Sequence, residues 1–415
     1  MRDHAVPGAR PGWLTTAVTA APVPVTRAGI RWPLLLVLAS LAAVAPVATD
    51  LYLPGFPAMG HELRADASGV QLTLTSFLIG LAFGQLVMGP VSDRYGRRGP
   101  LVASTAACVL AGVVCALAPT LPVLVGARLV QGFAGAGGMV IGRAVISDLV
   151  TGRAAARAFT LMLTVGGVAP VLAPTVGGLL AGPVGWRGML WAVALLCLAM
   201  LLGVLLVVRE TRPPGGHSAE AASWARALRT VARTRAFWAP VAVFALSFGV
   251  MMAYISASPF VYQNVVGLSA LGYGIAFGVN AAGLISAGAV ASRLVDRIEP
   301  RRMVRWCLGV QVSATVLFVV LAAARAPVWT YPVVIFFAVT ANGGIMGNSA
   351  ALAMAHVRPV AGSGSAVLGF SQFALGALVS PVVGLGGATS AVVPAAVMAA
   401  ASLLAFTASR LSPRR

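Results

Sequence analysis

The chain has 415 residues, of which 59% are hydrophobic and only 9% charged, far under the rough quarter that is charged in soluble domains. Mean hydropathy is +0.91, which excludes a soluble globular fold. A net charge of +19 would suggest nucleic acid in a soluble chain, but its placement here assigns it to membrane topology and excludes that partner.

Residues 1–33 hold proline, arginine and small residues with no apolar core, and are expected to be a disordered cytoplasmic tail. Apolar stretches of about 20 residues, each enough to cross a hydrocarbon layer of about 30 Å, then recur. They predict spans at 34–56, 70–89, 100–118, 122–145, 157–182, 187–208, 237–262, 271–292, 303–323, 329–352, 361–385 and 390–409. The first is too long for a cleaved signal peptide and reads as a signal-anchor. The predicted fold is all-α: a polytopic membrane protein of twelve transmembrane helices in two six-helix bundles, 34–208 and 237–409. A linker at 209–236, with arginines at amphipathic spacing, joins them, and 410–415 form a short cytoplasmic tail.

All 29 basic residues are arginine. With a cytoplasmic N-terminus, 25 fall on the inner side and three (Arg64, Arg187, Arg325) on the outer side, leaving Arg128 within a span. This bias orients both termini to the cytoplasm, in the plasma membrane. Cys108, Cys115, Cys197 and Cys307 lie in spans at no metal-ligand spacing, and packing is their expected role.

The bundles echo each other at an offset of 203 residues, which relates span one to span seven, and Asp93-Arg94 to Asp296-Arg297. A parallel repeat of this kind places a binding site between the bundles at mid-depth.

Of the 10 acidic residues, only Asp50 lies deep in a span. A carboxylate there costs about 2.5–3.5 kcal/mol and normally marks a pathway, a proton relay or a paired site; snorkelling to the interface is the bland alternative. Asp50 is six residues before the outer end of span one, and Arg128 six residues after the outer start of span four. At 1.5 Å per residue both lie roughly 9 Å deep, so a pair is expected, either a proton-coupling pair or a static structural one.

Arg128, Gln131, Gly132 and Gly135 share one helical face. Span five carries Pro170, Pro174, Gly177 and Gly178, a pattern for a hinge, a seal or close packing. The segment from Gly89 to Leu101 is read as an inner loop containing Asp93, Arg94, Gly96, Arg97 and Arg98. Gly96 permits a tight reversal, and Asp93 can face a helix N-terminus.

This segment closely resembles the G-x-x-x-D-R-x-G-R-R loop signature of the major facilitator superfamily. Arg128-Leu-Val-Gln131-Gly132 resembles its fourth-span signature, and residues 166–178 its fifth-span antiporter motif. Ala48 to Pro54, Ser258 to Gln263 and Gly362 to Gln372 resemble motifs of the Bcr/CflA drug-resistance subfamily. The resemblance spans residues 34–408. It implies a proton-driven antiporter exporting small drug-like compounds, with Asp50 protonated, Arg128 its partner, and Asp93, Arg97 and Asp148 an inner latch. Two departures stand out: Ala173-Pro174 replaces the expected Gly-Pro, and the offset puts Ala253 and Tyr331 opposite Asp50 and Arg128.

Thr49, Gln131, Met162, Tyr254, Ser258, Asn280, Asn342 and Gln372 are the candidate cavity residues, with bonding between helices as the alternative. No catalytic constellation, metal cluster or cofactor loop is visible, so neither an enzyme nor a cofactor is expected. The expected partners are a small-molecule substrate, protons and the bilayer, with the chain a monomer. The rival functions are export of one endogenous metabolite and a receptor or scaffold without transport.

Overall fold

A computed structural model describes residues 30–211 and 218–411, so most of both expected tails and part of the linker lie outside the described residues. The chain runs α1 (Trp32–Asp50), α2 (Phe56–Glu62), α3 (Ala67–Tyr95), α4 (Arg98–Leu117), α5 (Leu121–Leu149) and α6 (Gly152–Val207). After the linker helix α7 (Ser218–Arg233) come α8 (Arg235–Phe260), α9 (Ala270–Leu294), α10 (Pro300–Ala323), α11 (Thr330–Ala355), α12 (Ala361–Gly384) and α13 (Val392–Leu411). Eleven helical runs among the described residues are long and apolar enough to cross a membrane. The α6 run is broken at Gly185, whose φ of 62° and ψ of −174° are open to glycine, so it supplies two crossings and brings the total to twelve. An even number returns the chain to its starting face, here called the terminal face.

Local signals explain the helix ends. The Asp66 carboxylate accepts from Gly69 N–H at 2.7 Å to start α3, and Ser269 Oγ accepts from Gly272 N–H at 3.1 Å to start α9. Proline at the first turn opens α1, α5 and α10. Gly96, at φ 86°, stops α3. Two boundaries correct the sequence reading. The α3 helix runs on to Tyr95, so Gly89 to Arg94 are helical and only Gly96 and Arg97 form the turn; α5 runs on to Leu149, beyond the expected end at 145. Hydropathy finds only the apolar middle of a helix, while its polar ends stay hydrogen-bonded beyond the hydrocarbon.

Close packing builds the first bundle. A methyl at Gly84 would lie 2.5 Å from Ala136 Cβ, and one at Gly80 would lie 2.6 Å from Phe133 N. Such small-residue seams let α3 and α5 approach closely. The bundles meet along α3 with α12 and α6 with α9, and the 203 offset turns one of these seams into the other. Ser68 Oγ donates to Pro381 O at 3.4 Å, and Thr175 Oγ1 donates to Gly274 O at 3.1 Å. Gln71 donates to Ser256 O at 2.9 Å and Gln263 to Pro54 O at 3.1 Å, while the Phe56 and Phe260 rings lie 6.1 Å apart. All of these contacts are near the face opposite the termini. The linker helix docks through buried Val231 against Phe237, Ala353 and Leu368 of the second bundle.

Candidate functional site

Between the bundles lies a cavity of about 820 Å³, lined from α1, α3, α5, α6, α8, α9, α11 and α12. Its wall is mostly apolar: Leu78, Met139, Phe159, Met252, Phe277 and Phe373 are typical. Thr49, Met162, Tyr254, Asn342 and Gln372 line it, as expected from sequence. Gln131, Ser258 and Asn280 do not. All three are buried: Asn280 donates to the Tyr254 and Tyr262 hydroxyls at 2.9 and 3.1 Å, Ser258 lies 3.1 Å from the Tyr273 hydroxyl, and Gln131 accepts from Arg128 of its own helix at 2.7 Å. Asn342 is fully buried, and neither end of its amide has a hydrogen-bond partner in the described protein.

Asp50 lies on the cavity wall at 2% exposure, and its Oδ1 is 2.8 Å from the Thr49 hydroxyl. The expected ion pair with Arg128 is not formed. Arg128 is fully buried and donates to Ala48 O at 2.8 Å, Gln131 Oε1 at 2.7 Å and, at longer range, Thr73 O at 3.4 Å and the Tyr52 hydroxyl at 3.3 Å. Its guanidinium also stacks over Tyr52 and Phe77, 4.6 and 4.2 Å from the ring centroids. The reason is local. The α1 helix ends at Asp50, so Ala48 offers a carbonyl near the negative end of the helix dipole. Arg128 answers that end of the helix, and equal depth along two spans did not mean facing side chains.

At the terminal face, Arg97 brings Asp93 and Asp148 together. Its guanidinium donates to Asp93 Oδ1 at 2.6 Å, to Asp148 Oδ2 at 2.9 Å and to Ser92 Oγ at 2.8 Å. Burial opposes the charge on Arg97, but the carboxylates of Asp148 and Asp93 outweigh it and hold the guanidinium above its ordinary value. The start of α4 is served by Glu210 and not, as expected, by Asp93: the backbone N–H groups of Arg97 and Arg98 donate to its carboxylate at 2.7 and 3.0 Å. Arg94 stacks on Tyr95 at 5.4 Å and is exposed, and Gly89 makes only an ordinary contact with Val140.

Pro170 lines the cavity, and φ/ψ stay helical at Pro170 and Pro174. The glycines nearby are pressed against neighbours: Gly177 against the Leu51 carbonyl, and Gly178 against Ala270, whose carbonyl a methyl would approach to 2.6 Å. These contacts are close packing of α6 against the residue after α1 and the start of α9.

The sequence reading missed three contributors. Arg143 was counted with a loop but lines the cavity; its helical register with Met139, four residues earlier, was the available signal. Ser92 joins the terminal-face cluster through Arg97, five residues on, and Glu210 through contacts distant in sequence, which no local pattern announces.

Comparison with known proteins agrees with this architecture. Residues 38–381 match the family described as the Major Facilitator Superfamily. The MFS-type transporter YdgK of Bacillus subtilis is 33% identical over 363 residues, 87% of this chain and 90% of that one. A bicyclomycin resistance protein homolog of Haemophilus influenzae is 28% identical, covering 84% and 88%. The multidrug resistance protein MdtL of Escherichia coli is 28% identical over 55% of this chain and 58% of its own. Solved structures share the fold: a D-xylose–proton symporter with a TM-score of 0.71 at 16% identity, covering 90% and 97%, and a bacterial homolog of the lysosomal transporter Spinster, inward-facing, with 0.69 at 18%, covering 91% and 96%. The chain is thus a multi-pass membrane transporter and not an enzyme, and it belongs to the Major Facilitator Superfamily, beside the drug-resistance transporters of that family.

Proposed function

We propose that this chain exports small amphipathic compounds across the plasma membrane in exchange for protons, by alternating access, with both termini cytoplasmic and the monomer as the working unit. The observation that carries the reading is Asp50, an acid on the wall of an otherwise largely apolar cavity between two bundles. An apolar wall with a few polar groups suits amphipathic molecules of varied shape. A carboxylate on that wall can hold a proton or lose it as the cavity changes the side to which it opens. The names of the relatives from Haemophilus influenzae and Escherichia coli support drug-like cargo.

The seams near the face opposite the termini close that side, while Arg143, Gly288 and Met346 line the cavity towards the terminal face. These features support reading the arrangement as a carrier open to the cytoplasm. In the opposite state the terminal ends close, and the Arg97–Asp93–Asp148 cluster acts as the latch that shapes those ends. Arg128 positions the end of α1 on which Asp50 sits, and so serves coupling through the backbone.

Cells lacking their own pumps test this reading directly. Expression should raise resistance to several compounds of a chemically mixed panel and lower their accumulation, and a protonophore should abolish both effects. Unchanged accumulation across the panel, or efflux indifferent to the protonophore, contradicts it.

A further inference from the structure

The cavity holds a second charge that proton exchange does not use. Arg143 lies in α5, four residues after Met139, and both side chains line the cavity. The residue is exposed and belongs to the cavity lining. Among the described residues no carboxylate pairs with it: the three ion pairs present involve Arg97 and Arg187. Asp148, the nearest acid in sequence, accepts from Arg97 and from the Thr211 hydroxyl. Asp50, the other charged residue on the wall among the described residues, is bonded to Thr49 at the far end of α1.

An arginine without a partner in a membrane protein is costly, and it normally faces a bound group or a water-filled path. Its planar fork of five donors matches two-oxygen anions better than any neutral group. Asn342 adds an unsatisfied amide on the same wall, opposite in the fold, from α11. A basic group on the cargo would meet repulsion at Arg143, whereas an acidic group would meet its complement.

Resting on the reading of the cavity as the substrate site, we propose that the preferred cargo is an amphipathic organic anion, a carboxylate or sulfonate on an apolar body, whose acidic group is held by Arg143. The apolar body packs against Phe159, Met139 and the methionines of α8. Amphipathic cations of the same size are poor cargo.

Two dyes with the same aromatic body test this in the purified protein in nanodiscs of uncharged lipid: 8-anilinonaphthalene-1-sulfonate and the neutral N-phenyl-1-naphthylamine. Fluorescence titrations, with empty nanodiscs subtracted, should show the sulfonate binding at least tenfold more tightly than the neutral dye. Arg143→Gln should lower that ratio at least fivefold, and Arg143→Lys, which keeps the charge, should keep most of it. Gly167→Trp serves as the control for location, since a side chain at Gly167 meets open space on the cavity wall; it should remove both signals. If Gly167→Trp removes both signals but Arg143→Gln leaves the ratio unchanged, the anion preference is wrong and the cavity reading stands. If Gly167→Trp leaves both signals intact, the dyes do not bind in the cavity and both readings fall.

Discussion

Arg128 donates to the Ala48 carbonyl at 2.8 Å, two residues short of Asp50, and so grips the end of α1 while leaving the carboxylate to the cavity. Asp50 and Arg128 thus sit in different surroundings. Arg128 holds the backbone at the end of the first span, and Asp50 lines the cavity between the bundles.

Arg128→Ala should therefore be a stability defect before it is a coupling defect. It removes several charge-assisted hydrogen bonds from buried acceptors, each worth about 1.5–3 kcal/mol, so a loss of at least about 3 kcal/mol is expected. Thermal unfolding in detergent should show it as a clearly lowered midpoint. Adding Asp50→Asn should bring no recovery, because the arginine does not answer that carboxylate. Recovery in the double variant would mean that the charges do meet.

Glu210→Ala should destabilise the start of α4 by about 1 kcal/mol, the usual cost of losing a helix cap, because two N–H groups lose their acceptor. Asp93→Asn should leave the protein in the membrane yet slow cycling, since Arg97 keeps Asp148 and Ser92. Transport rate and dye affinity measured side by side check both variants. A collapse of affinity at normal cycling rate in Asp93→Asn would contradict the latch.

Gly178→Val should force apart the seam between α6 and α9, because even a methyl there would lie 2.6 Å from the Ala270 carbonyl. With the four native cysteines replaced, a cysteine at Thr49 should then react faster with an impermeant thiol reagent applied to the face opposite the termini. An unchanged rate would show that this seam does not close the cavity.

Reporter fusions at Arg64, Arg187 and Arg325 should all report the outer side, as the arginine bias requires. Arg187 pairs with Glu62 at 3.1 Å, which places those two loops on one face. An inner-side signal at two of the three positions overturns the orientation.

Most of the fold was legible because a bilayer leaves little choice: a long apolar run must be a helix, and its arginines mark its ends. The Gly89–Arg98 signature and the Asp50 segment were likewise visible, because their residue types are rare in such a chain. Side-chain direction was not visible. Depth along α1 and α5 brought Arg128 only as far as Ala48, two residues before Asp50, and the arginine meets a carbonyl there while the acid meets the cavity. Side-chain direction also hid Arg143, which composition filed with the loop arginines, and it put Asn280 and Ser258 into tyrosine hydrogen bonds. Glu210 was unreadable because its partners are 112 and 113 positions away.

The central claim is that Asp50 carries the exchanged proton, and proteoliposomes bearing Asp50→Asn test it most directly. Asparagine keeps nearly the shape of the protonated acid and can bond in the same place, so exchange of a cargo dye at equal concentrations inside and out should continue. Accumulation of that dye against its gradient, driven by an imposed pH difference, should fall to the level of empty liposomes. Uphill accumulation by Asp50→Asn at the wild-type rate would mean that the proton travels elsewhere, and the account would be wrong.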